Sequence, residues 1–167
     1  MIRVLMVCMG NICRSPTAEA VLRQRIKEAK LEKQIEVDSA GTSDGHVGSA
    51  PDRRSQAQAR LRGYDMAKLK ARVVRKRDFS AFDLILAMDQ VNLVRLQAMQ
   101  PTDSQAEIGL LRHWRSASPL DFVPDPYYGD TSGFEQVLDL IEDSCDQLIS
   151  DLTRRLENPS LNARRQP

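Results

Sequence analysis

Apolar and polar positions fall along this chain in blocks whose period changes. Ile2 to Val7 is a short apolar run, the pattern of a strand buried on both faces. Ala18, Val21, Leu22, Ile26 and Ala29 then recur at helical spacing. Ile35 to Ser39 reads as a second strand, ending in Ala40-Gly41-Thr42, and a Gly- and Ser-rich loop follows from Ser43 to Ala50. Pro51 is placed to open a helix carrying Ala57, Ala59 and Leu61, which Gly63 would end. Phe82 to Ala87 is another apolar run. A helical pattern starts at Met88-Asp89 with Val91, Val94, Leu96 and Ala98, and Ile108 to Leu111 forms a short last strand. A polar, proline-bearing loop runs from Arg112 to Asp130. Ser132 and Glu135 match a capping box. Behind it, Phe134, Val137, Leu138, Ile141, Cys145, Leu148, Ile149, Leu152 and Leu156 draw one helical stripe. Residues 158–167 carry little apolar content and are expected to form a frayed tail after a domain of residues 1–157.

This alternation predicts an α/β fold: a single domain with a parallel sheet and helices on both faces. Ligands of such folds sit beyond the carboxyl ends of the strands. The loops after the first strand, after Ser39 and after Ala87 should all reach that edge.

Composition narrows the function. A chain of 167 residues with 41% hydrophobic content suits one domain, and a net charge of +1 offers no general attraction to nucleic acid or membrane. No apolar stretch approaches the roughly 18 residues that span a bilayer. Met1-Ile2-Arg3 runs straight into a strand without a signal-peptide region, and three cysteines do not suggest a secreted disulfide framework. A cytoplasmic protein is expected.

The densest chemistry lies in Cys8-Met9-Gly10-Asn11-Ile12-Cys13-Arg14-Ser15, between the first strand and the first helix. Loop N–H groups, a helix N-terminus and a guanidinium gather there around one thiol. That environment suits a phosphate dianion and favours a thiolate over the thiol of a free cysteine, whose pKa is about 8.5. Arg14 offers a planar fork for two phosphoryl oxygens. Gly10 permits close backbone approach, and Asn11 tolerates left-handed geometry. Ser15, followed by Pro16, reads as a helix N-cap, as a donor to the Cys8 sulfur, or as both in turn. Cys13 is either a redox partner of Cys8 or a buried thiol on the first helical turn. A leaving oxygen needs a proton, and Asp125 in Asp125-Pro126-Tyr127-Tyr128-Gly129-Asp130 is the candidate acid. Tyr127 and Tyr128 beside it suit an aromatic ring. Asp130, just ahead of a helix, reads as a cap.

The Cys8–Pro16 and Asp125–Gly129 motifs together resemble the low-molecular-weight protein tyrosine phosphatase family. Asp38-Ser39-Ala40-Gly41-Thr42 and Met88-Asp89-x-x-Asn92-Leu93 extend the resemblance, which runs from about Arg3 to Leu152. It implies a four-stranded parallel sheet of flavodoxin-like type and a metal-free, cofactor-free, two-step reaction. Cys8 would attack phosphorus, and Arg14 with the amides from Met9 to Ser15 would hold the equatorial oxygens. Asp125 would serve as acid and then base, Ser15 would assist release of Cys8, and Ser39 would hold Asn11. The implied partners are phosphotyrosine proteins or peptides, for a monomer or weakly self-associating enzyme, with neither nucleic acid nor membrane involved. Ile12 stands where similar protein-arginine phosphatases carry Thr, which favours phosphotyrosine. The loop Thr42 to Gly48 lacks the aromatic residue usual near Gly45, so one pocket wall is missing or His46 replaces it; His46 is otherwise an exposed loop residue, the reading favoured here.

Other functions fit less well. An arsenate reductase would need further thiols, and Arg72 to Leu96 contains none. A non-catalytic phosphate binder would not need both Cys8 and Asp125. Cys8, Cys13, His46 and His113 lack the paired spacing of a zinc site. The basic run Lys68 to Arg77 reads as a solvated or phosphopeptide-facing patch.

Overall fold

In β1, Ile2–Cys8, successive side chains point to opposite faces of the sheet, and both faces are buried. Val4, Met6 and Cys8 enter one core with Leu84, Leu86 and Met88, while Leu5 and Val7 enter a second core with Ile85 and Ala87. This double burial explains why β1 and β3 read as unbroken apolar runs. The structure, a computed structural model, describes residues 1–116 and 118–159. Helix α1, Arg14–Glu28, follows β1, and β2, Ile35–Gly41, follows α1. Then come α2, Arg53–Leu61, the short α3, Asp78–Ala81, and β3, Leu84–Ala87. Helix α4, Gln90–Met99, and strand β4, Glu107–Leu110, complete the sheet, and α5, Thr131–Glu157, closes the described fold.

All four strands are parallel, in the order β2-β1-β3-β4. Helices α1 and α5 cover one face, and α3 and α4 cover the other. The chain leaves β1 first toward β2 and later toward β3, so the strand order reverses at the β1/β3 boundary. That reversal opens a crevice at the carboxyl ends of these two strands. The loops after Cys8, Gly41 and Ala87 meet there, as the sequence pattern predicts.

Several local expectations change. Helix α1 begins at Arg14 with Cys13 in the capping position, and no side chain caps it. Ser15 is therefore inside the first turn, and its hydroxyl faces Cys8 instead. The cap of α5 is Asp130, whose carboxylate accepts the Ser132 N–H at 3.0 Å. Asp130 takes the Ser132 N–H that the Glu135 side chain would accept in a capping box, and the Ser132 hydroxyl itself turns to Asp130, so the expected Ser132–Glu135 box does not form. The Ser132 hydroxyl and backbone N–H groups also hold Asp130 below the usual carboxylate range. On α2, Ser55 and Ala59 face inward, Ala57 is exposed and Leu61 is 80% exposed. On α4, Asn92 and Leu96 are buried while Val91 and Val94 point outward. Both helices are short enough for one capping aspartate, Asp52 or Asp89, to set their rotation against the apolar count.

The stretch Arg112 to Asp130 is not simply a polar loop. It starts with a 3-10 turn, Leu111–His113, and Arg112 is fully buried. Its guanidinium donates to Asp143 at 2.6 Å, to the Ser144 hydroxyl at 2.9 Å and to the carbonyls of Ser118, Leu120 and Leu140. One side chain thus ties the loop to α5. The expected tail lies mostly in residues 160–167, outside the described residues. No described helix is long and apolar enough to cross a membrane.

Candidate active site

Cys8 ends β1 opposite Gly41 of β2. The strand extension past Gly41 then grips the loop: Thr42 N–H donates to the Cys8 carbonyl at 2.9 Å, and Ser43 N–H to that of Met9 at 3.0 Å. A Cβ on Gly41 would stand 2.6 Å from the Met9 carbonyl oxygen, so only glycine allows this approach. Asn11 lies in the left-handed region at φ 55°. That conformation costs roughly 1–2 kcal/mol for a non-glycine residue. The buried amide offsets it, accepting the Arg72 N–H at 2.9 Å and donating to Ser39 and Ser15 at 2.9 and 2.8 Å. Arg72 is itself fixed by Asp38 and Asp78.

This loop presents its polar groups to one sulfur. Cys8 Sγ receives the Asn11 N–H at 3.3 Å and lies 3.0 Å from Ser15 Oγ. Met9 is exposed at the rim, Gly10 is half-buried, and Ile12 is buried against Cys13, Ala71 and Phe134. Cys8, Cys13 and Cys145 are all free and buried. Burial pushes the Cys13 thiol up to about 12, with a Ser55 hydrogen bond working the other way. At neutral pH Cys13 is therefore a neutral thiol. Cys145 is fully buried in the α1–α5 core, and desolvation raises its pKa further still.

Arg14 is 2% exposed, and its fork is engaged on both sides. Nη1 donates to Asp89 Oδ2 at 2.5 Å and to the Val123 carbonyl at 3.1 Å, while Nη2 donates to Asp125 Oδ2 at 3.1 Å. Burial opposes the Arg14 charge, but Cys8, Asp89 and Asp125 outweigh it and push the pKa up. Asp89 serves twice, since its other oxygen caps α4 through the Asn92 N–H at 2.8 Å. Asp125 is more open, with its side chain 45% exposed, and its Oδ1 accepts the Tyr127 N–H at 3.1 Å.

The walls differ from the sequence reading. His46 is not a free loop residue. Its ring lies over Gly10, where an added Cβ would meet Cδ2 at 2.9 Å, and it faces the Tyr127 ring at 6.4 Å and 50°. Tyr127 is held by Arg54, which donates to its carbonyl at 3.0 Å and lies 5.6 Å from its ring centroid. Tyr128 is 96% exposed and packs edge-on against Tyr127.

Asp89, Arg72 and Glu19 carry roles in space that the sequence alone does not assign. Asp89 had a usable signal, the Asp-x-x-Asn start of a helical pattern. Arg72 and Glu19 had none, because their partners lie 34 and 20 residues away along the chain.

A thiol at a β1/β3 switch point that receives the Asn11 amide, with the charge of the buried Arg14 beside it, fits a cysteine-centred phosphate-ester site on a doubly wound sheet. Comparison with known proteins agrees. The family model described as low molecular weight phosphotyrosine protein phosphatase matches residues 3–158, and the chain belongs to that family. It is 40% identical to the low molecular weight protein-tyrosine-phosphatase YfkJ of Bacillus subtilis over 92% of this chain and 97% of that one. A crystal structure of a protein tyrosine phosphatase from Entamoeba histolytica superposes with TM-score 0.88 at 38% identity, covering 96% of this chain and 99% of the other. A drosophila arginine phosphatase shares the fold with TM-score 0.83 at 30% identity, covering 90% and 97%.

Proposed function

We propose that this chain is a protein tyrosine phosphatase acting on phosphotyrosine in proteins, and on small aryl phosphates, through a phosphocysteine. The observation that carries the reading is the convergence of three groups: Cys8 in its loop, and Arg14 ion-paired to Asp125. Cys8 Sγ attacks phosphorus while the P–O bond to the aryl group breaks. Arg14 and the amides from Met9 to Ser15 hold the equatorial oxygens, and Asp125 gives its proton to the leaving phenolate. Water then attacks phosphorus, Asp125 takes the water proton, the P–S bond breaks, and Ser15 donates to the departing thiolate. Ser39 keeps Asn11 in place. No metal or cofactor is called for.

Arg14 supplies the order of events. Without substrate its fork pairs with Asp89 and Asp125. An arriving phosphate dianion competes for the same donors, so Asp125 loses its cation as it meets a second anion.

Tyr127 and His46 form the ring contacts, and Tyr128 lies outside them, placed to meet substrate residues beyond the phosphotyrosine. The catalytic unit is taken as residues 1–157, acting in the cytoplasm on phosphoproteins, as a monomer or in weak self-association. Ile12 is aliphatic, which favours phosphotyrosine over phosphoarginine.

The test is hydrolysis of phosphotyrosine, phosphoserine and phosphoarginine peptides and of aryl phosphates, without added metal. Phosphotyrosine should be preferred, and a preference for phosphoarginine would overturn the substrate assignment. Asp125→Asn should lose about 10²–10⁴-fold on substrates with basic leaving groups and much less on activated aryl phosphates. Equal losses on both would reject Asp125 as the acid.

A further inference from the structure

Asp125 is tied through each of its carboxylate oxygens. Oδ2 accepts from Arg14 Nη2 at 3.1 Å, and Oδ1 accepts the Tyr127 N–H at 3.1 Å. The first tie competes with a phosphate for the Arg14 fork. Once Arg14 turns to substrate, the place of Asp125 depends on the backbone at either side of it. Upstream, Val123 N–H is bonded to the Met88 carbonyl at 2.7 Å. Downstream, Arg54 Nη2 donates to the Tyr127 carbonyl at 3.0 Å.

Arg54 is aimed by groups that lead back to the Cys8 loop. Its Nε and Nη2 donate to the two Asp52 oxygens at 3.1 and 2.9 Å. This contact holds the Asp52 carboxyl below the usual carboxylate range, so the pair stays charged at neutral pH. Asp52 N–H donates to the Ile12 carbonyl at 2.8 Å. The guanidinium also lies 4.6 Å from the ring centroid of Phe134, which packs with Ile12 and Cys13. A path of bonds thus runs from Ile12 through Asp52, Arg54 and Tyr127 to Asp125, and it does not pass through Arg14.

We infer that Arg54 is a positioning residue for the acid step: it keeps the Tyr127 backbone in register with the Cys8 loop, so that Asp125 stays aimed at the leaving oxygen after Arg14 has turned to the phosphate. The Arg54 side chain is 43% exposed, and an ion pair that open adds little stability. Its worth is geometric. An acid must reach its oxygen at about 2.6–3.2 Å, and a shift on the order of 1 Å costs up to about 10²-fold.

The inference rests on Asp125 as the acid, and kcat/KM for two substrates tests both. Arg54→Met should lose about 10–10²-fold on a phosphotyrosine peptide, whose leaving oxygen needs a proton, and much less on dinitrophenyl phosphate, whose leaving group departs as an anion. A disturbed ring contact at Tyr127 would lower both alike. Arg54→Lys keeps the charge but cannot fork onto Asp52 and Tyr127 together, and should fall between. In an Asp125→Asn background, Arg54→Met should cost less than about twofold more, because the group it positions is gone. Asp125→Asn with equal losses on both substrates would reject the acid and this proposal together. With Asp125→Asn behaving as an acid variant, equal losses in Arg54→Met, no loss on phosphotyrosine, or full additivity with Asp125→Asn would overturn the role of Arg54 alone. Should Arg54→Met fail to fold, equal losses on both substrates in Arg54→Lys would do the same.

Discussion

Cys8→Ser is expected to bring hydrolysis of a phosphotyrosine peptide to background, a loss on the order of 10⁴-fold or more. The hydroxyl is nearly isosteric with the thiol and can still receive the Asn11 N–H and meet Ser15, so the loop should keep its shape. The change is in ionisation: a serine hydroxyl does not become an anion in this site, whereas a thiol can. Binding should therefore survive where turnover does not. Calorimetric titration of the variant with a phosphotyrosine peptide should give an affinity within about tenfold of the wild-type KM, since Arg14 and the loop amides are untouched. Residual turnover within tenfold of wild type would mean that another group attacks phosphorus.

The largest effect on stability is expected far from the sulfur. Arg112→Met removes a fully buried cation while leaving Asp143 and the carbonyls of Ser118, Leu120 and Leu140 without its donors. Breaking such a set from one side costs about 3–5 kcal/mol. For a domain of this size that lowers Tm on the order of 10 °C, measurable by calorimetry. Arg112→Lys keeps the charge but not the fork and should fall between. The same loop leads to Val123, whose carbonyl accepts from Arg14, and on to Asp125. Arg112 therefore links stability to the placing of the acid. A Tm change below about 2 °C would show that the loop is held by its other contacts.

The sheet and the long helix were legible because burial wrote them into the residue pattern. β1 and β3 are covered on both faces, and the α5 stripe from Phe134 to Leu152 is buried as spaced apart from the partly buried Ile149. The short helices were not, because Val91, Val94 and Leu61 are apolar yet exposed, and position on a short helix depends on its cap more than on its count of apolar residues. In the site, the contiguous loop from Cys8 to Ser15 and the distant Asp125 could be singled out from residue type and order. What holds them could not. The Asp89 clamp on Arg14 and the Glu19–Ser39 link are both made across the fold, between residues whose local patterns show only a cap and a helix face. The stretch around Gly45 is the clearest case. Read as a chain it lacks an aromatic wall, whereas in space its neighbour His46 stands against Tyr127.

The central claim is that the Cys8 sulfur carries the phosphoryl group between its donor and water. Rapid acid quenching during turnover of a phosphotyrosine peptide, followed by peptide mass spectrometry, tests this most directly. The expected result is a phosphoryl adduct on Cys8 that forms within the first turnover and builds up when Asp125→Asn slows its hydrolysis by water. Steady turnover with no adduct on Cys8 in either protein, or an adduct on a different residue, would contradict the account.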